Sequence, residues 1–290
     1  MTLVTDPTAN PRPVGLRSSE EWEKPSPVDG YRYRILVAHP EGEPPPAGFP
    51  TLYVLDGDAI FATVVEAVRM RARRPDVTRV APTVVVGIAH PVDQPFDRGR
   101  RRFDYTPGPQ EGVEVTEDTR AEVGGSGHFL DLLEQVVMPA ISRRFDVDPA
   151  RRSVFGHSLA GLLTIHAMGR RGLFGAHGAA SPSIWWNKKL LTGLVEQLRT
   201  ASTDGTTPPR AMITVGEYEE RLAEWELPDA AAPEKQRRRK ARRMVGGAED
   251  LANALTGAGI PAIFERFPRE DHASSLLLSI NRFLPFALSP

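Results

Sequence analysis

Apolar residues along this chain fall into two patterns that alternate. Short apolar runs bounded by turn residues predict strands, and stretches with apolar residues at helical spacing predict helices. The predicted strands cover residues 31–37, 51–55, 82–89, 153–156, 176–180, 211–215 and 262–267. The predicted helices cover residues 59–70, 129–145, 159–168, 233–256 and 274–288. Strands that alternate with helices predict an α/β fold, with a mainly parallel sheet covered by helices on both faces.

The N-terminal segment differs in composition from the rest of the chain. It is rich in proline, serine and charged residues, so it has little apolar surface to bury. We therefore expect a loosely ordered arm over residues 1–27 and a single domain over residues 28–290.

Composition limits the classes of function. The 290 residues carry a formal net charge of −1, so no overall field favours nucleic acid or an anionic membrane as a partner. The absence of cysteine excludes disulfides, thiolate metal sites and a cysteine nucleophile. No apolar stretch reaches membrane-spanning length, and the N-terminus shows no apolar signal segment. We expect a cytoplasmic protein; export by a signal outside this sequence is the alternative.

The segment Gly156-His157-Ser158-Leu159-Ala160 lies where a predicted strand passes into a predicted helix. This is the setting of a nucleophile elbow, in which small residues around the serine permit a tight turn. The usual pattern is G-x-S-x-G, and Ala160 stands at its last position. The strand before Ser158 and the helix after it favour this serine as the nucleophile.

The position of one histidine fits the chemistry that such a serine needs. A serine hydroxyl becomes a nucleophile when a histidine removes its proton and a carboxylate orients that histidine. In α/β enzymes with a nucleophile elbow, the chain order is serine, acid, histidine. Of the seven histidines, only His272 follows both Ser158 and an acidic loop after a later strand. His272 is therefore the predicted base.

Three glutamates that follow the predicted strand 211–215 compete for the role of the acid. Glu219 lies three residues after Gly216, a spacing at which a turn can return its side chain to the edge of the sheet. Glu217 and Glu220 are alternatives, and each of the three would also suit a solvated helix start. We favour Glu219.

Backbone amides are expected to stabilise the oxyanion of the reaction. One is the amide of Leu159, directly after the nucleophile, and the other comes from Gly57 or Asp58, after the predicted strand 51–55. A glycine at position 57 permits the close approach of a substrate, although an ordinary turn would also use one.

These motifs resemble those of the ferric-siderophore esterases, the enterobactin and bacillibactin trilactone hydrolases among the esterase D-like α/β hydrolases. The resemblance runs from residue 31 to the C-terminus. It rests on LYVLDGDAIF (52–61), RRFDYTP (101–107), FGHSLAGL (155–162), SPSIWWN (181–187), ITVGEYEE (213–220) and DHAS (271–274). It implies an α/β-hydrolase fold with Ser158 as nucleophile, His272 as base and Glu219 as acid. Ala160, Asp58 and the poorly matched segments 108–127 and 220–245 depart from the family pattern, which leaves the substrate preference open.

A ferric catecholate carries several negative charges, so the resemblance implies arginines at the mouth of the site. Arg100, Arg101 and Arg102 follow a predicted strand, in a loop on the side of the sheet where α/β folds bind ligands. A solvated charged loop is the alternative. Trp185 and Trp186 are candidates to line the pocket, with a core position as the alternative for one of them.

A basic segment over residues 236–243 offers a further group of cations. We expect a solvated or salt-bridged helix face there, because acidic residues lie close before it in the sequence. A second binding surface for an anionic ligand is the alternative.

Together these features predict a serine esterase that cuts ester bonds through an acyl-serine intermediate, with no metal or organic cofactor. The expected partner is a small-molecule ester, with a siderophore trilactone, including its anionic ferric form, as the favoured substrate and iron release as the result. One alternative is a carboxylesterase or depsipeptide hydrolase that acts on another natural product. Another is a non-catalytic binding protein on the same fold. No residue separates hydrolysis from acyl transfer to an alcohol.

Overall fold

A computed structural model describes residues 14–112, 122–201 and 207–290, and within them the chain forms one eight-stranded sheet. The strand order is β1-β2-β4-β3-β5-β6-β7-β8. β1–β2 and β2–β4 pair antiparallel, and the other neighbouring strands are parallel. The strands are β1 (Ser19–Pro25), β2 (Arg32–Ala38), β3 (Phe49–Leu55), β4 (Val84–Ala89), β5 (Val147–His157), β6 (Ala176–Ala180), β7 (Arg210–Gly216) and β8 (Ala262–Phe267).

Helices cover both faces of this sheet. They are α1 (Gly57–Ala72), α2 (Pro75–Thr78), α3 (Arg98–Tyr105), α4 (Ser126–Leu132), α5 (Met138–Arg144), α6 (Leu159–His166), α7 (Lys188–Ala201), α8 (Ala232–Arg242), α9 (Met244–Gly257) and α10 (Ser275–Leu288). A π-helical turn, Leu133–Val137, joins α4 to α5. None of the helices in the described ranges has both the length and the hydropathy to span a membrane.

The fully buried strand β3 shows how the two faces are built. Successive side chains of a strand point to opposite faces. Tyr53 and Leu55 accordingly pack in one core with α4 and α5, while Leu52 and Val54 pack in another with α1 and α10. Because both faces of β3 are buried, its sequence has to be apolar without interruption. The predicted mainly parallel sheet with helices on both faces is confirmed.

Part of the expected N-terminal arm lies in the sheet. Residues 1–13 fall outside the described ranges, but Ser19–Pro25 pairs along its whole length with β2. Within this strand Trp22 stacks on Phe145, with ring centroids 6.4 Å apart, whereas Glu21 and Glu23 are exposed. The packing of Trp22, between two exposed glutamates, is enough to hold this segment as an edge strand. Its composition alone is typical of a loosely ordered arm.

Two other elements differ from the sequence-based expectation. Residues 98–105, expected as a loop, form helix α3, whose first turn is capped by the Asp97 carboxylate accepting from the Arg100 amide at 2.9 Å. The helix expected over residues 233–256 is divided into α8 and α9 at Arg243, which has a left-handed backbone with φ of 50°. Because of this break, the axes of α8 and α9 point in different directions.

The register of the parallel strands decides which loops meet at the carboxyl edge of the sheet. Val54 of β3 pairs with Phe155 of β5, so the turn after Leu55 lies beside the turn after His157. Gly216 of β7 pairs with Phe267 of β8, which brings the loops after these two strands together. Ligands of open α/β sheets bind at this edge.

Candidate active site

Ser158 occupies the sharp turn between β5 and α6. Its φ of 62° and ψ of −116° lie in a region that non-glycine residues rarely adopt. A Cβ at Gly156 would lie 2.5 Å from the Ala160 carbonyl group, so position 156 accepts only glycine without a shift of the backbone. Ala160 is fully buried, and its methyl group fits at the position that is usually a glycine.

Glu219 and His272 form a hydrogen-bonded pair beside this turn. His272 Nδ1–H donates to Glu219 Oε2 at 2.5 Å, and Glu219 Oε1 accepts from Ser181 Oγ at 2.6 Å and from the Gly216 amide at 2.7 Å. Burial raises the pKa of the Glu219 carboxyl, but the hydrogen bonds from His272, Ser181 and Gly216 outweigh it and hold that pKa below its ordinary value. The carboxylate thus stays ionised and fixes the tautomer of His272.

The other two glutamates have different partners. Glu217 accepts from the Arg269 amide at 2.8 Å and pairs with Arg221, also at 2.8 Å. Glu220 accepts from the amides of Val245 and Gly246 at the start of α9, at 3.0 and 2.8 Å. Of the three candidates, Glu219 is the one in contact with His272.

Ser158 and His272 line the same cleft, which has a volume of about 420 Å³. Its walls also include Ser183, whose Oγ lies 3.4 Å from Ser158 Oγ. Because Nδ1 of His272 is bound to Glu219, Nε2 is the nitrogen left for the serine. The structure therefore brings the predicted nucleophile, base and acid together, and this arrangement can activate a hydroxyl for attack on a carbonyl carbon.

His157, which the sequence suggested only as part of the elbow, contacts His272. Its Nε2 donates to the backbone carbonyl of His272 at 2.8 Å, and the two rings have centroids 4.5 Å apart. Burial, followed by the charge of His272, lowers the pKa of His157 to about 4. The neutral imidazole of His157 therefore holds the backbone of His272, the predicted base. In the sequence, only the position of His157 next to Ser158 pointed to such a role.

The turn after β3 carries the other predicted oxyanion residues. The Asp56 carbonyl accepts from the amides of Ala59 and Ile60, so the amides of Gly57 and Asp58 lie ahead of the first helical hydrogen bonds of α1. A Cβ at Gly57 would lie 3.2 Å from the backbone of β4, which accounts for the glycine. Leu159 is likewise the first residue of α6.

The side chain of Asp58 is already engaged. One carboxylate oxygen accepts from Arg34 Nη1 at 2.6 Å, and the other accepts from the His90 amide at 2.8 Å. Only the backbone amide of Asp58 is therefore available to an oxyanion.

The three arginines of α3 that the sequence suggested for ligand binding have protein partners. Arg100 pairs with Asp29 and Asp104, and Arg101 forms two hydrogen bonds with the buried carboxylate of Asp56. Arg102 is exposed and pairs with the exposed Glu122 at 3.0 Å. Substrate binding by Arg101 and Arg102 stays a prediction, and the guanidinium of Arg101 is committed to Asp56.

The two tryptophans lie in different environments. Trp185 lines the cleft, with the guanidinium carbon of Arg242 4.5 Å above its ring. Trp186 is 8% exposed and donates from Nε1 to the Gly108 carbonyl at 2.9 Å, as part of the core. Helix α8 also lines the cleft, with Lys235, Arg238, Arg239 and Arg242. The three arginines belong to the basic segment 236–243, whose composition had already indicated a possible anion-binding surface.

Comparisons with known proteins agree with this architecture. The chain matches the family described as "Putative esterase" over residues 26–253. It is 33% identical over 264 residues to the ferri-bacillibactin esterase BesA of Bacillus subtilis, covering 89% of this chain and 85% of that protein. It is 32% identical to the siderophore triacetylfusarinine C esterase of Aspergillus fumigatus, covering 94% of each.

A solved structure shows the same fold along nearly the whole chain. The BES protein from Bacillus cereus superimposes with a TM-score of 0.82 at 27% identity, covering 97% of this chain and 99% of that one. The resemblance deduced from the sequence motifs is thereby confirmed, including its α/β-hydrolase fold. This chain belongs to the esterase family and is a carboxylic ester hydrolase.

Proposed function

We propose that this protein is a serine esterase that hydrolyses the ester bonds of a siderophore, with Ser158, His272 and Glu219 as its catalytic triad. The observation that carries the proposal is the presence of Ser158, in its strained turn, and the Glu219-bound His272 on one cleft. The substrate class is supported by the relatives, which are named as esterases of bacillibactin and triacetylfusarinine C.

In the first step, Ser158 Oγ attacks the ester carbonyl carbon while its proton passes to His272 Nε2. The tetrahedral intermediate collapses when the bond to the alcohol oxygen breaks and His272 returns the proton to that oxygen. Glu219 stabilises the imidazolium formed between these events, because its carboxylate is ionised and almost completely buried.

The negative charge on the carbonyl oxygen needs donors that are fixed before the reaction starts. The amides of Leu159 and of Gly57 or Asp58 have this role in the proposal, since each lies at the start of a helix where no helical acceptor uses it. In the second step, water attacks the carbonyl carbon of the acyl-serine while His272 takes one of its protons. His272 then returns this proton to Ser158 Oγ as the bond between Oγ and the acyl carbon breaks, which releases the acid and the free serine.

The direct test is mass-resolved product formation from a tricatechol trilactone, both ferric and iron-free. We expect linear trimer, dimer and monomer to appear in turn, and Ser158→Ala to lower the rate at least about a thousandfold. Ser142→Ala, on the exposed side of α5, is the matched control and should retain the wild-type rate. Hydrolysis of a simple ester without turnover of either trilactone would instead indicate a general carboxylesterase.

The biological result of this reaction would be release of iron, because the cleaved fragments hold the metal less tightly than one connected chelator does. The cytoplasmic location expected from the sequence stays a prediction, which cell fractionation can test.

A further inference from the structure

Helix α8 faces the cleft with four cations, and two of them are neutralised. Lys235 pairs with Asp229 at 2.6 Å, and Arg239 binds both carboxylate oxygens of Glu226, at 2.7 and 2.8 Å. Within the described ranges, neither Arg238 nor Arg242 forms an ion pair with a carboxylate. The cleft that contains Ser158 therefore has two positive charges with no carboxylate partner among the described residues.

The proximity of Arg238 and Arg242 is electrostatically unfavourable. They are four residues apart on α8, where like charges repel each other. Burial, followed by the charge of Arg238, lowers the pKa of Arg242. Arg242 is also fixed over the ring of Trp185, which lines the same cleft. Since none of the described residues supplies a carboxylate to this pair, an anion from the ligand would remove the repulsion.

The chemistry of siderophores separates candidate ligands by charge. A catechol loses both hydroxyl protons when it binds iron(III), so the tris-catecholate complex is a trianion. A hydroxamate loses a single proton, so the tris-hydroxamate complex is neutral, and an iron-free catechol is neutral at pH 7. Arginine forks bind anionic oxygens well, and they stack on aromatic rings.

We propose that Arg238 and Arg242, together with Trp185, make this cleft selective for the anionic ferric tricatecholate form of the ester. This inference rests on the proposed function and assigns its specificity to α8. The guanidinium groups bind the iron-bound catecholate oxygens, and Trp185 provides an aromatic face for a catechol ring. The residues of α3 that the sequence suggested for this task have partners of their own, so α8 is the better placed source of free charge.

The test compares three esters: the ferric tricatechol trilactone, its iron-free form, and a ferric cyclic trihydroxamate ester. The double variant Arg238→Gln/Arg242→Gln should lower kcat/KM for the ferric tricatecholate by about 10- to 100-fold, through KM. The rates for the other two esters should change less than about threefold. Arg237→Gln on the same helix removes an equal charge from a pair exposed to solvent, and it should leave all three rates unchanged.

Two further measurements keep the result decisive. Arg238→Lys/Arg242→Lys retains the charges and should recover most of the selectivity, which a general loss of packing would not allow. The wild-type KM for the ferric tricatecholate should also rise with salt. A wild-type preference for the neutral trihydroxamate, or an equal loss for all three esters in the Gln variant, would overturn the proposal.

The affinity for a ligand that cannot be hydrolysed tests the anion site independently of esterase activity. A ferric tricatecholate with amide links in place of the esters cannot be hydrolysed, and quenching of tryptophan fluorescence measures its affinity. Tight binding that the Gln variant weakens about tenfold or more supports the anion site even if no siderophore ester is cleaved. Binding unchanged in the Gln variant rejects the anion site even if Ser158-dependent hydrolysis is found.

Discussion

The Arg101 guanidinium binds both carboxylate oxygens of Asp56 in a nearly buried ion pair, through Nε at 2.6 Å and Nη2 at 2.8 Å. Asp56 has a left-handed backbone, with φ of 54°, and its amide donates to the Tyr105 hydroxyl at 3.2 Å. Such a conformation persists where neighbouring groups hold it. Helix α3 therefore fixes the turn that presents the amides of Gly57 and Asp58.

A substitution at Arg101 should reveal whether this residue positions the turn or binds substrate. Arg101→Lys keeps a charge but loses the two-pronged contact, so we expect kcat to fall about tenfold or more for both a neutral and an anionic ester, with little change in KM. Steady-state kinetics on the two esters provides the measurement. Arg98→Gln, an exposed position on the same helix, is the control. An increase in KM limited to the anionic ester would show that Arg101 binds substrate.

Replacement of the acid should separate the three glutamates. Glu219→Gln removes the charge that stabilises the His272 imidazolium, so kcat on a simple ester should fall by about two to four orders of magnitude. Glu217→Gln should stay within about twofold of the wild type, because Glu217 binds the Arg269 amide and the Arg221 guanidinium and not the His272 ring. If Glu217→Gln caused the larger loss, the assignment of the acid would be wrong.

A methyl group at position 57 should disturb the oxyanion turn. The Cβ of Gly57→Ala would lie 3.2 Å from the backbone of Gly87 and Ile88, so the turn has to shift by a few tenths of an ångström. We expect kcat to fall about tenfold or more with KM nearly unchanged, because the donors serve the transition state. Gly193→Ala in α7 meets no atom within 4 Å and is the control. Equal kinetics for the two variants would remove Gly57 from the proposed oxyanion hole.

The pKa of His157 predicts how stability depends on pH. This pKa is lowered to about 4 from 6.5, so between these pH values the unfolded chain binds the extra proton and the folded protein does not. The contribution is complete above pH 6.5 and is lost as the pH falls towards 4. We therefore expect the free energy of unfolding of the wild type to fall over this range by about 3 kcal/mol more than that of His157→Gln.

Denaturant unfolding at several pH values between 7.5 and 4.5 measures this difference. The glutamine amide can still donate to the His272 carbonyl, so the variant keeps the contact and loses the titration. Parallel stability curves for the two proteins would show that His157 titrates normally in the folded state.

The elbow and the order of the triad could be predicted because both depend on local pattern. Gly156 and Ser158 are neighbours in the chain, and His272 is the histidine that follows the last strand. The choice of Glu219 over Glu217 and Glu220 depends on a short 3₁₀ turn that directs the Glu219 carboxylate back to the sheet, while Glu217 contacts Arg221 and Glu220 contacts the start of α9. Spacing suggested this arrangement, and the register of β7 against β8 explains it.

The partners of the arginines could not be predicted in the same way. Arg101 and Asp56 are 45 residues apart in sequence, and their contact follows from the packing of α3 against the end of β3. Similarly, Arg238 and Arg242 reach the cleft because the chain breaks at Arg243, a position with no glycine or proline to indicate it. Charge pairing between distant segments is a property of the tertiary structure, so a list of basic residues does not reveal which of them are free.

The outermost strand β1 also affects how the protein can be handled. Its outward side chains Glu21 and Glu23 pair with Arg34 and Arg32 of β2 and place a row of charge along the edge of the sheet. Shortening the chain to begin at residue 28 would uncover the backbone donors and acceptors of β2, which could then pair with another molecule. The strand Ser19–Pro25 thus protects the edge of β2 from self-association, and we expect its removal for crystallisation to promote aggregation.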